Sequence, residues 1–280
     1  TKPQVFDTLT HFVTEDRAEK GNPLGIEGYI SYVDTWRNPN IRAVNLLSGV
    51  CPKYQRDGKT ILSCKWDVRN GKIEEFSYEI VDGQIVEKPV SENCYAEVNE
   101  ILRRELKATV EKHSELRFFQ SPLIHPKRTS VAELERLLLE GRKTILGLKV
   151  HGIGSASGPS DFDPELAKYI AKMGVPLIIH TDYNSRNPAN QITTPEGALI
   201  HLQRINNPKD WADFCLKYGI RASLQHGARN DREVYRIMKD NKGQFIAGLG
   251  PIIGGQSARM VEKTDNYVAS VFENLGPEYV

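Results

Sequence analysis

Residues 175–181 have the sequence VPLIIHT, in which a short apolar run is followed by a histidine, His180. A run of this length predicts a β-strand, here Val175–Ile179. Two similar runs lie on either side of it along the chain, TILGLKVH at residues 144–151 and IRASLQH at residues 220–226, and each also ends in a histidine. The recurrence indicates a repeated strand unit.

Amphipathic stretches separate these strands. Pro164 begins a predicted helix that Gly174 ends, and Asp210–Tyr218 is a second helix, ended by Gly219. Alternating strands and helices predict βαβ units and a parallel sheet. Further helices are predicted at Gly25–Trp36, from Val131 to Gly141, at Asp231–Lys239 and at Ser257–Asn274. Seven parallel strands are predicted: Val5–Leu9, Ile41–Leu47, Leu116–Ile124, Thr144–Val150, Val175–Ile179, Ile220–Gln225 and Gln244–Leu249.

We therefore predict an α/β fold, a (β/α)8 TIM barrel that forms one domain over residues 1–280. Its eighth strand is missing or incomplete in this chain, and Glu278–Val280 would begin it. The alternative is two domains divided near Cys94.

Two insertions interrupt the repeat. Residues 60–90 contain Asn70-Gly71 and Asp82-Gly83, which are hairpin signals, so we predict a small antiparallel β insertion there. Residues 183–208 are polar and follow a strand end, where barrel enzymes place loops that cover the substrate.

Composition excludes several classes of protein. Lys+Arg is 37 and Asp+Glu is 36, so a net charge of +1 gives no overall field to attract nucleic acid or an anionic membrane. No 18-residue apolar run is present to span a membrane. The four cysteines show no paired spacing, so we expect reduced thiols in a cytoplasmic protein. A small-molecule substrate is the expected partner, and homo-oligomerisation is left open.

Five histidines follow predicted strands. In a barrel these strand ends meet at one mouth, and imidazole is both a common metal ligand and a proton carrier. A single histidine of this kind is more often structural than a ligand, but five in register favour a metal site. They are His11, His125, His151, His180 and His226.

Lys149 shares a strand face with His151 because the two residues are two positions apart. A lysine inside a barrel mouth is costly unless it is paired or modified. Two interpretations stay open: a lysine that pairs with a carboxylate or binds an anionic substrate, or one carbamylated by carbon dioxide to bridge two metals.

The stretches GLKVH (147–151), VPLIIHT (175–181) and LQHG (224–227) resemble the amidohydrolase superfamily, in particular its amidohydrolase-related branch. The resemblance implies a TIM barrel that holds one or two divalent ions, zinc first and manganese second. It implies that His11 and His180 are metal ligands, and that His226 is a ligand or the neighbouring acid/base.

Two departures from the family pattern affect this site. Leu9 stands where the first strand-one histidine is expected, and leucine cannot bind a metal. The strand-eight aspartate that the family uses has no match in the chain, and we expect it to lie beyond Val280.

The function that follows is metal-dependent hydrolysis of a small, carboxylate-bearing molecule through an activated water. His226 and Lys149 are the candidate catalytic residues. The candidate substrate-binding residues are His151, Tyr183, Arg186 and Arg229. The alternatives are a non-hydrolytic lyase, either a decarboxylase or a hydratase, on the same fold, and a catalytically inactive barrel that acts as a binding protein.

Overall fold

The computed structural model describes residues 5–11, 41–47, 53–56, 58–70, 72–90, 93–113, 116–181, 205–249 and 269–280. The predicted helix Gly25–Trp36 and most of the 183–208 insertion lie outside these residues. The chain divides into two compact units. The first is Thr1–Trp66 with Glu74–Lys149, and the second is Asp67–Ile73 with Val150–Val280. The single domain and its two-domain alternative both stay predictions.

The first unit is built on a parallel sheet. Its strands are β1 (Val5–His11), β2 (Ile41–Leu47) and β7 (Arg117–Ser121), with β2 in the centre. Beyond β7, isolated parallel bridges join Gln120 to Ile145 and Leu123 to Lys149. Parallel order is therefore maintained up to β8 (Leu148–Val150), whose last residue begins the second unit.

Two helices of this unit lie within the described residues. The helix α1 (Ala96–Lys112) packs on β7, and its leucines join strand residues in one buried cluster. That cluster consists of Val44, Leu46, Leu102, Leu106 and Phe118. The helix α2 (Val131–Glu140) begins at Ser130, whose hydroxyl accepts the Glu133 N–H and so caps the helix.

An antiparallel sheet forms the predicted β insertion. Its strands, in sheet order, are β3 (Lys53–Arg56), β4 (Lys59–Arg69), β5 (Lys72–Val81) and β6 (Gln84–Pro89). The β5–β6 turn has φ of 51° at Asp82 and 76° at Gly83, the left-handed pair that a tight two-residue hairpin requires. The predicted antiparallel hairpins are present, and the sheet begins earlier than predicted, at Lys53.

The second unit repeats the strand–helix alternation. Its elements are α3 (Gly152–Ser155), α4 (Pro164–Met173), β9 (Leu177–Ile179), α5 (Pro208–Tyr218), β10 (Ala222–Gln225), α6 (Arg232–Asp240) and β11 (Phe245–Gly248). The strands β9, β10 and β11 pair in parallel with β10 in the centre. Gly174 and Gly219 end α4 and α5 at φ of 66° and 69°, as the sequence predicts. Among the described residues, the strands form parallel sheets with helices but no closed barrel.

The end of the chain differs from the prediction. Residues 269–275 are helical, in agreement with the predicted helix over the part that is described. The expectation that Glu278–Val280 begins a strand is wrong, because Pro277–Tyr279 forms a 3-10 turn. Gly276, at φ of 104°, redirects the backbone, and the ring of Pro277 fixes the first position of the turn. Tyr279 is buried, and the turn packs against β11.

The cysteines also require a correction. Cys94 is disulfide-bonded, so the expectation that all four thiols are reduced is wrong. Cys215 is free and buried, and burial raises the pKa of its thiol. Sequence spacing failed here because it does not report which cysteines lie close together in space. Across the described ranges, no helix has the length and apolar character needed to cross a membrane.

Candidate functional site

His180 lies directly after β9, and the backbone of a neighbouring strand fixes its position. Its N–H donates to the Val150 carbonyl oxygen at 3.1 Å, so the parallel pairing continues past the end of β9. On the other side β9 pairs with β10, with Ile179 opposite Leu224. The apolar strands therefore hold the imidazole at the carboxyl end of the sheet, where barrel enzymes place their chemistry.

His226 follows β10 and contacts His180 directly. Its Nε2 atom lies 3.0 Å from the Nδ1 atom of His180, within hydrogen-bond distance. The ring centroids are 4.5 Å apart and the rings are nearly perpendicular, at 80°. In this contact one nitrogen donates a proton and the other accepts it. The structure thus brings together the two histidines that the sequence predicts will share a site.

His151 completes a row of three imidazoles. Its ring lies against His180, with centroids 4.1 Å apart and an interplanar angle of 32°. Its Nδ1 atom accepts the Gly154 N–H at 3.0 Å, a contact made by the first turn of α3. Because Nδ1 is an acceptor, the neutral ring carries its proton on Nε2.

The backbone around His226 is unusual. From His226 to Asn230 all five residues have left-handed φ angles: 57°, 59°, 45°, 60° and 55°. Four of the five are not glycine, and this conformation costs an L-residue about 1–2 kcal/mol. The Tyr235 hydroxyl donates to the Gly227 carbonyl at 2.6 Å, and the Asn230 amide donates to the Ser270 hydroxyl at 2.6 Å. Nothing in the sequence pattern indicates this segment; strained backbone of this kind concentrates at functional sites.

Lys149 belongs to the first unit and is almost completely buried. Its N–H donates to the Pro122 carbonyl at 2.8 Å, and its own carbonyl accepts the Ile124 N–H at 2.9 Å. Burial lowers the pKa of its amine to about 7. Within the described ranges no carboxylate forms an ion pair with it, so the paired interpretation has no support from these residues.

The remaining predicted site residues are less completely described. His11 is the last residue of β1, but its side chain lies outside what the structure describes. Tyr183 and Arg186 also lie outside the described residues. Arg229 is half-buried within the left-handed segment.

His125 has a partner that sequence reasoning missed. Its Nε2 atom lies 3.4 Å from Glu75 of β5, and its Nδ1 accepts the Lys127 N–H at 3.2 Å. Arg128 holds the same carboxylate through its Nε at 2.7 Å. Burial raises the pKa of Glu75, but His125 and Arg128 together outweigh burial and lower it. In the first unit, this pairing anchors the β insertion to the end of β7.

Metal ligands are only partly represented among these residues. The part of the chain that the structure describes contains no group of three or more His, Cys, Asp or Glu side chains arranged to hold an ion. The His180–His226 contact places two nitrogen ligands together, but a catalytic zinc site uses three protein ligands. These two histidines would therefore supply at most two of the three protein ligands that such a zinc site uses.

The chain is similar to solved structures. A candidate amidohydrolase from Staphylococcus aureus superposes with a TM-score of 0.51 at 12% identity, covering 98% of this chain and 85% of that one. The chain shares the fold of this structure. The resemblance predicted from the strand ends is thus confirmed at the level of the fold.

Two further structures are similar. A candidate 2-pyrone-4,6-dicarboxylic acid hydrolase from Pseudomonas putida gives a TM-score of 0.48 at 10% identity, covering 100% of this chain and 81% of that one. A protein described as amidohydrolase II gives 0.48 at 11% identity, covering 92% and 82%. No protein-family model matches the chain, and no curated protein matches it. Within the fold of this chain, the two histidines in contact directly follow β9 and β10.

Proposed function

We propose that the chain is a metal-dependent hydrolase of the amidohydrolase type that acts on a small, carboxylate-bearing molecule. The observation that carries this proposal is the 3.0 Å contact between His180 Nδ1 and His226 Nε2 at the ends of adjacent parallel strands. Imidazole nitrogens can carry protons and bind metals, and metal-assisted hydrolysis uses both properties. Barrel enzymes place such groups at the carboxyl ends of their strands.

The geometry of the pair fits a metal ion in part. Two nitrogens bound to one tetrahedral zinc at about 2.0–2.1 Å lie roughly 3.3 Å apart. The observed separation of 3.0 Å is close to this value, so a small shift of either ring would suffice. His180 would hold the ion, and the family resemblance implies His11 as a further ligand. A divalent ion there would polarise a carbonyl group and lower the pKa of water towards about 7.

His226 has two roles open to it. It is either a ligand beside His180 or the acid/base that moves a proton next to it. In the second role His226 would exchange a proton with the substrate through its other ring nitrogen, Nδ1, while the contact of its Nε2 with His180 Nδ1 orients the ring. The left-handed backbone at residues 226–230 sets the direction of this imidazole.

The other residues would bind the substrate and carry protons. His151, with its proton on Nε2, would donate to a substrate carboxylate, and Arg229, Arg186 and Tyr183 would supply further contacts to it. Burial lowers the pKa of Lys149 to about 7, so its amine loses its proton more readily than that of an exposed lysine. An uncharged amine can accept a proton or react with carbon dioxide, so both of these uses stay open.

An isotope experiment tests the proposal. Full-length protein loaded with zinc or manganese would be incubated in H2-18O with a panel of small carboxylated amides and lactones, and products followed by mass spectrometry. Hydrolysis incorporates 18O into the product, whereas decarboxylation releases carbon dioxide without such incorporation. We expect His180→Ala and His226→Ala to abolish turnover and His113→Gln, at the end of α1, to leave it unchanged. Absence of 18O incorporation for every substrate would contradict the proposal.

A further inference from the structure

Gln225 is a buried polar residue beside the candidate site that no role described above uses. It is the last residue of β10, it precedes His226, and it is 4% exposed. Its Nε2 donates to the Ser223 hydroxyl at 2.7 Å. Its Oε1 atom is buried and has no hydrogen-bond partner within the described part of the chain. A buried amide oxygen left unpaired is costly, so its retention needs an explanation.

Gly248 makes room for this carboxamide. It is the residue opposite Gln225 in the β10–β11 pairing. A Cβ atom added to Gly248 would overlap both Nε2 and Oε1 of Gln225. The carboxamide therefore lies across the backbone of β11, in a position that only glycine permits.

Gln225 shares one face of β10 with Ser223, since their side chains are hydrogen-bonded across two positions of the strand. Ile246, opposite Ser223 on β11, is 50% exposed. The residues of the other face, Ala222 and Leu224, are buried.

A hydrogen bond joins Gln225 to the residue that follows His180. The hydroxyl of Thr181, the residue after His180, donates to the Gln225 carbonyl oxygen. The residue after His180 is therefore hydrogen-bonded to the residue before His226. Gln225 thus lies at the same end of the sheet as the two imidazoles.

We propose that Gln225 Oε1 accepts a hydrogen bond from an N–H group of the substrate, which makes Gln225 a specificity-determining residue for amides or imides that carry this N–H. The inference rests on the proposed hydrolase function and narrows its substrate class. A site built around a buried acceptor rejects ligands that lack the donor, because the acceptor then stays unpaired.

The test compares glutarimide, a cyclic imide with one N–H, with N-methylglutarimide, which lacks it. We expect the zinc-loaded, full-length protein to bind glutarimide saturably in calorimetry, and the N-methyl compound at least about tenfold more weakly. In Gln225→Met this preference should fall to within about twofold. The ligand-free Gln225→Met protein should also melt about 2–4 °C higher, because the unpaired acceptor is gone.

Gln244→Met is the matched control, because Gln244 Nε2 donates to the carbonyl oxygens of Cys215 and Ile220, both at 3.1 Å. We expect this variant to melt at a lower temperature and to keep the preference for glutarimide. A lower Tm for Gln225→Met, equal binding of the two imides, or no binding of glutarimide would each overturn the inference. If the protein prefers glutarimide over its N-methyl form but hydrolyses no substrate, the proposed function is contradicted and the role of Gln225 in binding the N–H group stands.

Discussion

The Nε2 atom of His226 lies 3.0 Å from the Nδ1 atom of His180, and the two rings meet almost at right angles. Since the two histidines follow neighbouring strands, each side chain can be replaced without altering the apolar residues of the strand before it. We expect His180→Ala to weaken zinc binding by at least about 100-fold and His226→Asn to lower kcat by about 10²–10⁴-fold with zinc retained. Zinc affinity would be measured by competition with a chelator, and kcat on the best substrate of the amide panel.

The same pair of variants decides the role of His226. If His226→Asn loses zinc as completely as His180→Ala, then His226 is a ligand. If zinc stays and one limb of the pH–rate profile disappears, it is the acid/base. Unchanged zinc affinity in His180→Ala would contradict the metal site proposed for this strand edge.

The lowered pKa of Lys149 predicts that the free energy of unfolding depends on pH. Its pKa is lowered from 10.5 to about 7 in the folded chain, so between these pH values the unfolded chain binds more protons and folding becomes more favourable as pH rises. Below pH 7 the full cost of burying the charge is present, at most about 5 kcal/mol at 1.36 kcal/mol for each pKa unit. Lys149→Met should therefore stabilise the chain by up to about 5 kcal/mol at pH 6 and by about 2 kcal/mol at pH 9.

Urea unfolding at the two pH values measures this difference. Lys168→Met is the matched control, because Lys168 is exposed on α4 and pairs with Glu165 at its surface. The control should show no comparable pH trend. A gain from Lys149→Met that is equal at pH 6 and pH 9 would mean that the amine keeps an ordinary pKa in the folded chain.

Local sequence patterns predicted much of this fold because strands and helices are set by nearby residues. The strand Ile41–Leu47 has the predicted bounds, and the helix beginning at Pro164 ends at Gly174 as expected. Parallel order followed from the alternation of elements. The 3-10 turn Pro277–Tyr279 was missed because three residues are too few to show a hydrophobic repeat that distinguishes a strand from a turn.

Contacts between distant residues explain the other differences. Glu75 and His125 are far apart in sequence, and no local pattern connects them. The left-handed segment that carries His226 is held by Tyr235 and Ser270, which lie further along the chain. Histidines at strand ends were visible in the sequence because strand ends are local, whereas the ring contact between them required the three-dimensional pairing of β9 with β10.

The disulfide at Cys94 predicts a count of thiols. One intrachain bond among four cysteines leaves two thiols, one of which is Cys215. We expect the protein, denatured without reductant, to give two reactive thiols with Ellman's reagent and four after reduction. Disulfides persist mainly in oxidising compartments, so this result would argue against the cytoplasmic location expected from sequence. Four reactive thiols before reduction would contradict the bond.

The left-handed segment gives the last prediction, at Arg229. Its φ of 60° is favourable for glycine and costly for any residue with a Cβ atom. Arg229→Gly and Arg229→Ala remove the same guanidinium group and differ only in this Cβ. We therefore expect the glycine variant to be more stable than the alanine variant by about 1 kcal/mol in urea unfolding.

Glu135 provides the reverse comparison, because it is exposed in the middle of α2. In an ordinary helix glycine is less favourable than alanine by about 1 kcal/mol, so Glu135→Gly should be the less stable of its pair. The sign of the glycine–alanine difference should thus be opposite at the two positions. If alanine is the more stable residue at both, residue 229 is not left-handed in solution, and the backbone that directs His226 must be different from the one described.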